Sequence, residues 1–81
     1  MRIALCDDEE AVLQTLKAQL HTYCGQRNLC PRIDCFSCGE DFLKSTGQYE
    51  IVFMDIYLTG MNGMETVHEI RKTSGCSVVF M

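Results

Sequence analysis

The chain has 81 residues, enough for one domain that buries only about 60–65 % of the surface its unfolded form exposes, so its core is thin. A composition of 47 % hydrophobic and 22 % charged residues, with one proline, no tryptophan and no low-complexity tract, is that of a folding globular domain. A net charge of −4 with scattered basic residues argues against a phosphate-backbone footprint, so direct nucleic-acid binding is not expected.

No apolar run approaches the roughly 18 residues that span a bilayer. The opening MRIALCDDEE places acids where a secretory signal would continue its apolar region, so the chain is expected to be cytoplasmic, without membrane contact. In that compartment the six cysteines (Cys6, Cys24, Cys30, Cys35, Cys38, Cys76) read as reduced and mostly structural. Cys35 and Cys38 form a lone C-x-x-C with no second pair, and neither His21 nor His68 stands at a ligand spacing from it. Both histidines are expected in solvent.

Residues 2–6, RIALC, form an apolar run that stops at Asp7, Asp8, Glu9 and Glu10, after which Leu13, Leu16, Leu20 and Tyr23 recur at helical spacing. This predicts a strand and then an amphipathic helix with Asp8 as N-cap, Glu9 and Glu10 in the first turn, and an end near Gly25–Asn28. A second strand is expected over Arg32–Phe36, after Pro31. Ser37-Cys38-Gly39-Glu40 has the S-x-x-E form of a capping box and opens a short helix through Phe42 and Leu43 that Gly47 stops.

Glu50–Asp55 is dense in apolar residues without polar alternation, as expected of a parallel strand covered on both faces. Asn62 and Glu65 then offer a second N-terminal cap, leading a helix with Met64, Val67 and Ile70 on its inner face and ending at Ser74-Gly75. Met61 and Met64 are expected to fill gaps in the core. A last strand runs from Ser77 through Phe80 to Met81.

The order βαβαβαβ with short connections predicts a doubly wound α/β fold, a parallel sheet with helices on both faces and right-handed crossovers. Ligands of such sheets sit beyond the carboxyl ends of the strands, where the strand order reverses. In a 2-1-3-4 sheet, Asp7, Asp8 and Asp55 meet at that mouth. Two carboxylates about 4 Å apart at an effective dielectric near 20 repel by about 4 kcal/mol. A hard divalent cation such as Mg2+, which takes one or two carboxylates and leaves other positions to water, carbonyls or phosphate, offsets this.

LCDDEE after the first strand and MDIYLTGMNGME after the third together resemble the receiver domains of two-component response regulators, and the similarity covers essentially the whole of residues 1–81. It is closest to receivers that precede a LytTR-type DNA-binding domain, which often open with a comparable I-C-D-D-E. The resemblance implies a flavodoxin-like fold in which Asp55 is the phosphoacceptor, charged by a sensor histidine kinase or a small phosphodonor. It also implies that Asp8 ligates Mg2+ directly, that Asp7 is the second acid, and that the Tyr57 backbone carbonyl is the remaining protein ligand. The domain would then act in signal transduction and transcription regulation as a phosphoacceptor, not as an enzyme.

Two departures from the family pattern stand out. Thr59 occupies a position where the family usually has proline. The chain also stops at strand four, so relative to the family it lacks the final αβα, including the switch Thr or Ser and the lysine that pairs with the phosphoryl group. Without that lysine, phosphorylation is expected to be slow or absent. Without a helix behind it, Ser77–Met81 becomes an exposed apolar edge through which self-association is expected.

Other readings fit less well. A haloacid-dehalogenase-type phosphotransferase needs a second Asp where this chain has Tyr57, and a dinucleotide-binding domain needs a G-x-G-x-x-G where this chain has acids. The strongest alternative is a receiver fragment that cannot switch and serves only as an interaction or self-association module.

Overall fold

The computed structural model describes residues 1–45, 48–58, 62–72 and 75–81. Their elements are β1 (Arg2–Cys6), α1 (Glu10–Gln26), β2 (Arg32–Phe36), α2 (Gly39–Lys44), β3 (Ile51–Met54), α3 (Gly63–Ile70) and β4 (Ser77–Phe80). The four strands form one parallel sheet, as the alternation of elements predicts, in the order β2-β1-β3-β4 that the family resemblance implies. Cys6 is level with Phe36 on one side and Met54 on the other, and Met54 with Phe80, so the carboxyl ends of all four strands make one rim.

Alternate residues of β1 feed two separate cores. Ile3 and Leu5 pack with Leu13 and Ile33 beneath α1, joined by half-buried Leu16, Leu20 and Phe53. Ala4 and Cys6 join Phe42, Tyr49, Val52, Met54, Leu58 and Ile70 on the face covered by α2 and α3. A strand that buries both of its faces has no polar side to alternate with. The six cysteines are all free thiols, and burial, with smaller contributions from Cys35 and Cys38, pushes Cys6 up to about 12, which leaves it an inert apolar side chain. His21 and His68 are exposed, as expected.

The helix ends differ from the sequence expectations by small, explicable amounts. The N-cap of α1 is Glu9, not Asp8, one residue later than expected; no side chain caps it, and the Glu9 N–H itself donates to Asp7 Oδ1 at 2.9 Å. The cap of α2 is likewise displaced by one: Cys38 Sγ accepts from the Asp41 N–H, while Ser37 stays outside. At the other end of α1, Asn28 takes φ 57°, and the N–H groups of Asn28 and Leu29 donate to the carbonyls of Gly25 and Cys24. This is a Schellman closure with asparagine in the left-handed position usually given to glycine. Tyr23 lies in the exposed last turn, where the Arg27 guanidinium stacks on its ring at 3.7 Å, rather than in the core.

The cap of α3 is the one expected. Asn62 Oδ1 accepts from the Glu65 N–H and its Nδ2 donates to Glu65 Oε1, both at 2.9 Å. The inner face of α3 is Gly63, Thr66 and Ile70 with half-buried Val67, while Met64 is exposed, contrary to the gap-filling role expected of it. Thr66, fully buried, satisfies its hydroxyl by donating to the Asn62 carbonyl. The helix ends at Ile70, and the Arg71 guanidinium donates to the Cys76 carbonyl, tying it to the approach to β4. The stops expected at Gly47 and Ser74, and the core role of Met61, lie outside the described residues.

An ion-pair cluster closes the β2 edge. Asp34 Oδ2 accepts from Tyr49 Oη at 2.8 Å and from Arg2 Nη2 at 3.2 Å, while Asp34 Oδ1 meets Arg32 Nε at 3.4 Å. The Tyr49 hydroxyl, with the two arginines, holds the Asp34 carboxyl below its ordinary value against a smaller opposing effect of burial. A carboxylate so depressed adds stability above the unfolded value of 3.8, lost as pH falls through the folded one. Asp34→Asn is therefore expected to cost about 1–2 kcal/mol at neutral pH, the worth of a charge-assisted hydrogen bond discounted for exposure. Urea denaturation of both proteins as a function of pH checks this: the difference should close in strongly acidic solution.

Candidate functional site

Backbone hydrogen bonding runs one residue past the ends of the two central strands, and this places the acids. The Asp7 N–H donates to the Phe36 carbonyl at 3.1 Å, continuing the β1–β2 ladder, and the Asp55 N–H donates to the Cys6 carbonyl at 2.9 Å, continuing β3–β1. Each of these two acids then folds the chain back over itself. Asp7 Oδ1 accepts the Glu9 N–H at 2.9 Å, and Asp55 Oδ1 accepts the Tyr57 N–H at 3.0 Å. Both are Asx turns, the local bond by which an aspartate holds the backbone two residues on.

The three aspartates expected at the mouth do meet. Asp7, Asp8 and Asp55 each present a carboxylate oxygen, and these oxygens lie within 4.8 Å of one another. Asp7 is 5 % exposed, Asp55 half-buried and Asp8 exposed. Burial is the largest influence on Asp7 and raises its pKa above the ordinary 3.8; the Glu9 N–H works against it, and the charges of Asp55, Asp8 and Glu9 add to it. The ion pairs among the described residues join Arg2 and Arg32 to Asp34 and Lys72 to Glu69, so none neutralises Asp7 or Asp55.

This donor set fits a hard cation. It offers carboxylate oxygens alone, without histidine nitrogen or thiolate, which suits Mg2+ over zinc or copper. Oxygens bound to Mg2+ at about 2.0–2.1 Å lie up to about 4.2 Å apart across the ion, close to the spread seen here. Tyr57 is 84 % exposed and fixed to Asp55 through its N–H, the contact that the structure shows for its backbone.

A functional residue that sequence reasoning treated only as part of a helix start is Gly63. A Cβ built on it would lie 2.3 Å from the carbonyl oxygen of Asp55 and 2.9 Å from Cα of Ile56. The Gly63 N–H donates to the Ile56 carbonyl at 3.0 Å. The first turn of α3 therefore lies directly on the backbone that carries Asp55, and only a residue without a side chain permits that approach. Leu58, buried in the α2–α3 core, anchors the same loop from within. Aspartate, leucine and glycine in D-x-x-L-x-x-M-N-G thus have three physical tasks: to present a carboxylate, to pin the loop, and to admit a helix. Thr59, Gly60 and Met61, between the last two, lie outside the described residues.

Residues 3–81 match the family model described as the response regulator receiver domain, and the chain belongs to that family. A solved structure of the response regulator TrrA from Thermotoga maritima in complex with Mg(2+)-BeF is 32 % identical, with a TM-score of 0.84 over 98 % of this chain and 66 % of that one. TrrA in complex with the histidine kinase ThkA superimposes with a TM-score of 0.81 at the same identity and coverage. DrrB, an OmpR/PhoB homologue from Thermotoga maritima, is 28 % identical with a TM-score of 0.80, matching 98 % of this chain and 34 % of its own. The chain therefore spans between about a third and two thirds of the length of these solved relatives. No curated protein sequence matches it.

Two substitutions test the site's construction. Gly63→Ala is expected to destabilise the fold by about 3 kcal/mol, the upper end of overpacking costs, because the obstructing atoms are backbone and cannot rotate away. Thermal unfolding followed by circular dichroism measures it. Asp7→Asn keeps an oxygen for the Glu9 N–H and removes a charge. Since a carboxyl with a raised folded pKa loses its favourable contribution as pH rises through that value, the metal-free variant should melt a few degrees above the parent at neutral pH and at the same temperature in strong acid. Added Mg2+ should raise the melting temperature of the parent and leave Asp7→Asn nearly unchanged.

Proposed function

We propose that this receiver domain accepts a phosphoryl group on Asp55 from a sensor histidine kinase, with Asp7, Asp8, Asp55 and the Tyr57 backbone carbonyl holding Mg2+. The observation that carries the reading is the meeting of three carboxylate oxygens within 4.8 Å at the carboxyl rim of a parallel sheet. A bound Mg2+ supplies charge neutralisation for the incoming phosphoryl group. Support for the ion comes from TrrA, whose structure was solved with Mg(2+)-BeF, and support for the donor from the complex of TrrA with the kinase ThkA.

The chain's own part is to position. The Tyr57 N–H engages Asp55 Oδ1, which leaves Oδ2 to form the new oxygen–phosphorus bond. The phosphorus–nitrogen bond of the donor phosphohistidine breaks as that bond forms, and the imidazole nitrogen keeps the electron pair and takes a proton from water. Asp7, buried beside Asp55, has its carboxyl pKa raised by burial and by the neighbouring acids, so its charged form is the one a bound cation would stabilise. No cation among the described residues pairs with Asp55, so phosphorylation of the 81-residue chain alone is expected to be slow. The domain regulates by being modified, and we expect it to work in the cytoplasm, where ATP feeds the kinase. The Leu5-Cys6-Asp7-Asp8-Glu9 opening favours a parent of the LytTR-linked, transcription-regulating type.

The test is incubation with phosphoramidate and Mg2+, read by intact mass. Gain of one phosphoryl group, abolished by Asp55→Asn and by EDTA, is the expected result. Beryllofluoride with Mg2+ should also shift the amide resonances of Asp7, Asp55 and Tyr57. A chain that binds neither Mg2+ nor beryllofluoride would be the switch-incompetent interaction module instead.

A further inference from the structure

The β2 edge of the sheet lies between α1 and α2 in the chain, on the far side of the sheet from β4. The β1–β2 ladder decides which of its backbone groups are already bonded. The Arg32 N–H donates to the Met1 carbonyl at 2.9 Å, and the Phe36 carbonyl accepts the Asp7 N–H at 3.1 Å. With the two strands parallel, residues 32, 34 and 36 turn their polar groups toward β1, so the N–H and C=O of Ile33 and Cys35 point away from the sheet. Among the described residues no strand lies beyond β2.

An open cleft of about 680 Å³ follows this edge, lined by residues 33–36, by Lys17 of α1 and by Lys44 and Ser45 of α2. Four of the chain's seven basic residues line it, Arg2, Lys17, Arg32 and Lys44, against two acids, Asp34 and Asp41, in a chain of net charge −4. Arg2 is largely committed, with Nη2 on Asp34 at 3.2 Å and its guanidinium 4.9 Å above the Tyr49 ring. Arg32 meets Asp34 through Nε at 3.4 Å, and its side chain is 71 % exposed. Half-buried Lys17 and exposed Lys44 have no ion pair among the described residues. Burial raises the Cys35 thiol's pKa and the Lys17 charge opposes the rise, which sets that ammonium near the outward-facing part of β2.

We infer that β2 accepts an extended acidic segment of another polypeptide as a further strand, hydrogen-bonded to Ile33 and Cys35 and held by Lys17 on one face and by Arg32 and Lys44 on the other. The placement of the cations selects a strand over a compact anion. Lys17 belongs to the helix that covers one face of the sheet and Lys44 to a helix on the opposite face, so the sheet edge stands between them and one small anion does not reach both. A strand sends alternate side chains to opposite faces and meets both. In an addition of this kind the main-chain bonds supply affinity and the flanking side chains supply specificity. The same charges exclude a second copy of this edge, because β2–β2 pairing would set Lys17, Arg32 and Lys44 against their like.

The probe is the capped peptide acetyl-Thr-Glu-Val-Glu-Glu-Val-Glu-Thr-amide, which carries glutamates on both faces of a strand. Titrated into the isotope-labelled chain, it should shift the amide resonances of Ile33 and Cys35 and slow their hydrogen exchange. The same peptide N-methylated throughout keeps every charge and loses its backbone donors, so it should do neither. Lys17→Glu and Lys44→Glu, with unchanged protection in β1 and β3, should each weaken binding by roughly threefold or more, the worth of an exposed charge pair. Raising salt from about 0.05 M to about 0.5 M should weaken it likewise.

An unshifted spectrum with the parent peptide overturns the inference. So does equal binding of the N-methylated peptide, or full affinity in both lysine variants, either of which leaves diffuse charge alone at this edge. Inorganic pyrophosphate that reproduces the shifts at Ile33 and Cys35 overturns it in favour of a small anion. Slowing of those two amides as chain concentration rises without peptide overturns it in favour of a second copy.

Discussion

Backbone hydrogen bonds that overrun the ends of β1 and β3 hold like charges together, and most of the site follows from this. Asp7 and Asp55 would separate if each were free to choose its conformation. They cannot, because their N–H groups are spent on the carbonyls of Phe36 and Cys6, and each carboxylate is turned back on its own chain by an Asx turn. The repulsion is thereby carried by the sheet itself. A ladder of parallel strands with both faces buried is the element of so small a domain that can bear it, since opening it would expose both cores at once.

The same constraint explains why the acids belong to the two central strands. A residue just past the end of an interior strand has a neighbouring strand on each side to bond to, whereas one past an edge strand has only one. With the order β2-β1-β3-β4, β1 and β3 are the interior pair and adjacent to each other, so their ends bring side chains within reach of a shared ion. The reversal of strand order at β1 and β3 also means that the connections leave to opposite faces of the sheet, which opens the rim. Gly63 completes the construction from the other side, bringing the first turn of α3 onto the backbone of Asp55. The geometry needs a bare Cα there and a buried Leu58 within the same loop.

Much of this was legible in the amino-acid sequence because it rests on patterns of hydrophobicity. The strand positions follow from apolar runs ending in acids and the parallel sheet from their alternation with helices, while the convergence of Asp7, Asp8 and Asp55 needed the 2-1-3-4 order as well, and the structure shows all three. Local caps were harder to read, since adjacent residues each offer a side chain that could cap and the choice shifts the helix start by one residue. Asp7 Oδ1 accepts the Glu9 N–H and α1 begins one residue later than expected, while Cys38 Sγ accepts from the Asp41 N–H where Ser37 was expected to accept from the Glu40 N–H. Helix phase was also misjudged at Met64. Periodicity counts apolar side chains and gives glycine no weight, whereas in α3 the residue in closest contact is Gly63, and turning that point inward carries Thr66 and Ile70 inside and Met64 out.

Thr66 shows how a polar residue can be fully buried with its hydroxyl satisfied. Its hydroxyl donates to the Asn62 carbonyl one turn back, so no unpaired polar atom is buried, and its methyl packs as a valine's would. A valine there would fill the space and leave that carbonyl with the Thr66 N–H alone, which also donates to it. The threonine therefore adds a second bond at the residue whose side chain caps α3. Asn62 is thus gripped from its carbonyl while its amide grips Glu65, and the first turn of the helix is braced at the position that must lie against Asp55. The buried polar residue and the glycine at the mouth serve one end, which is to keep the start of α3 from moving away from the Asp55 backbone it abuts.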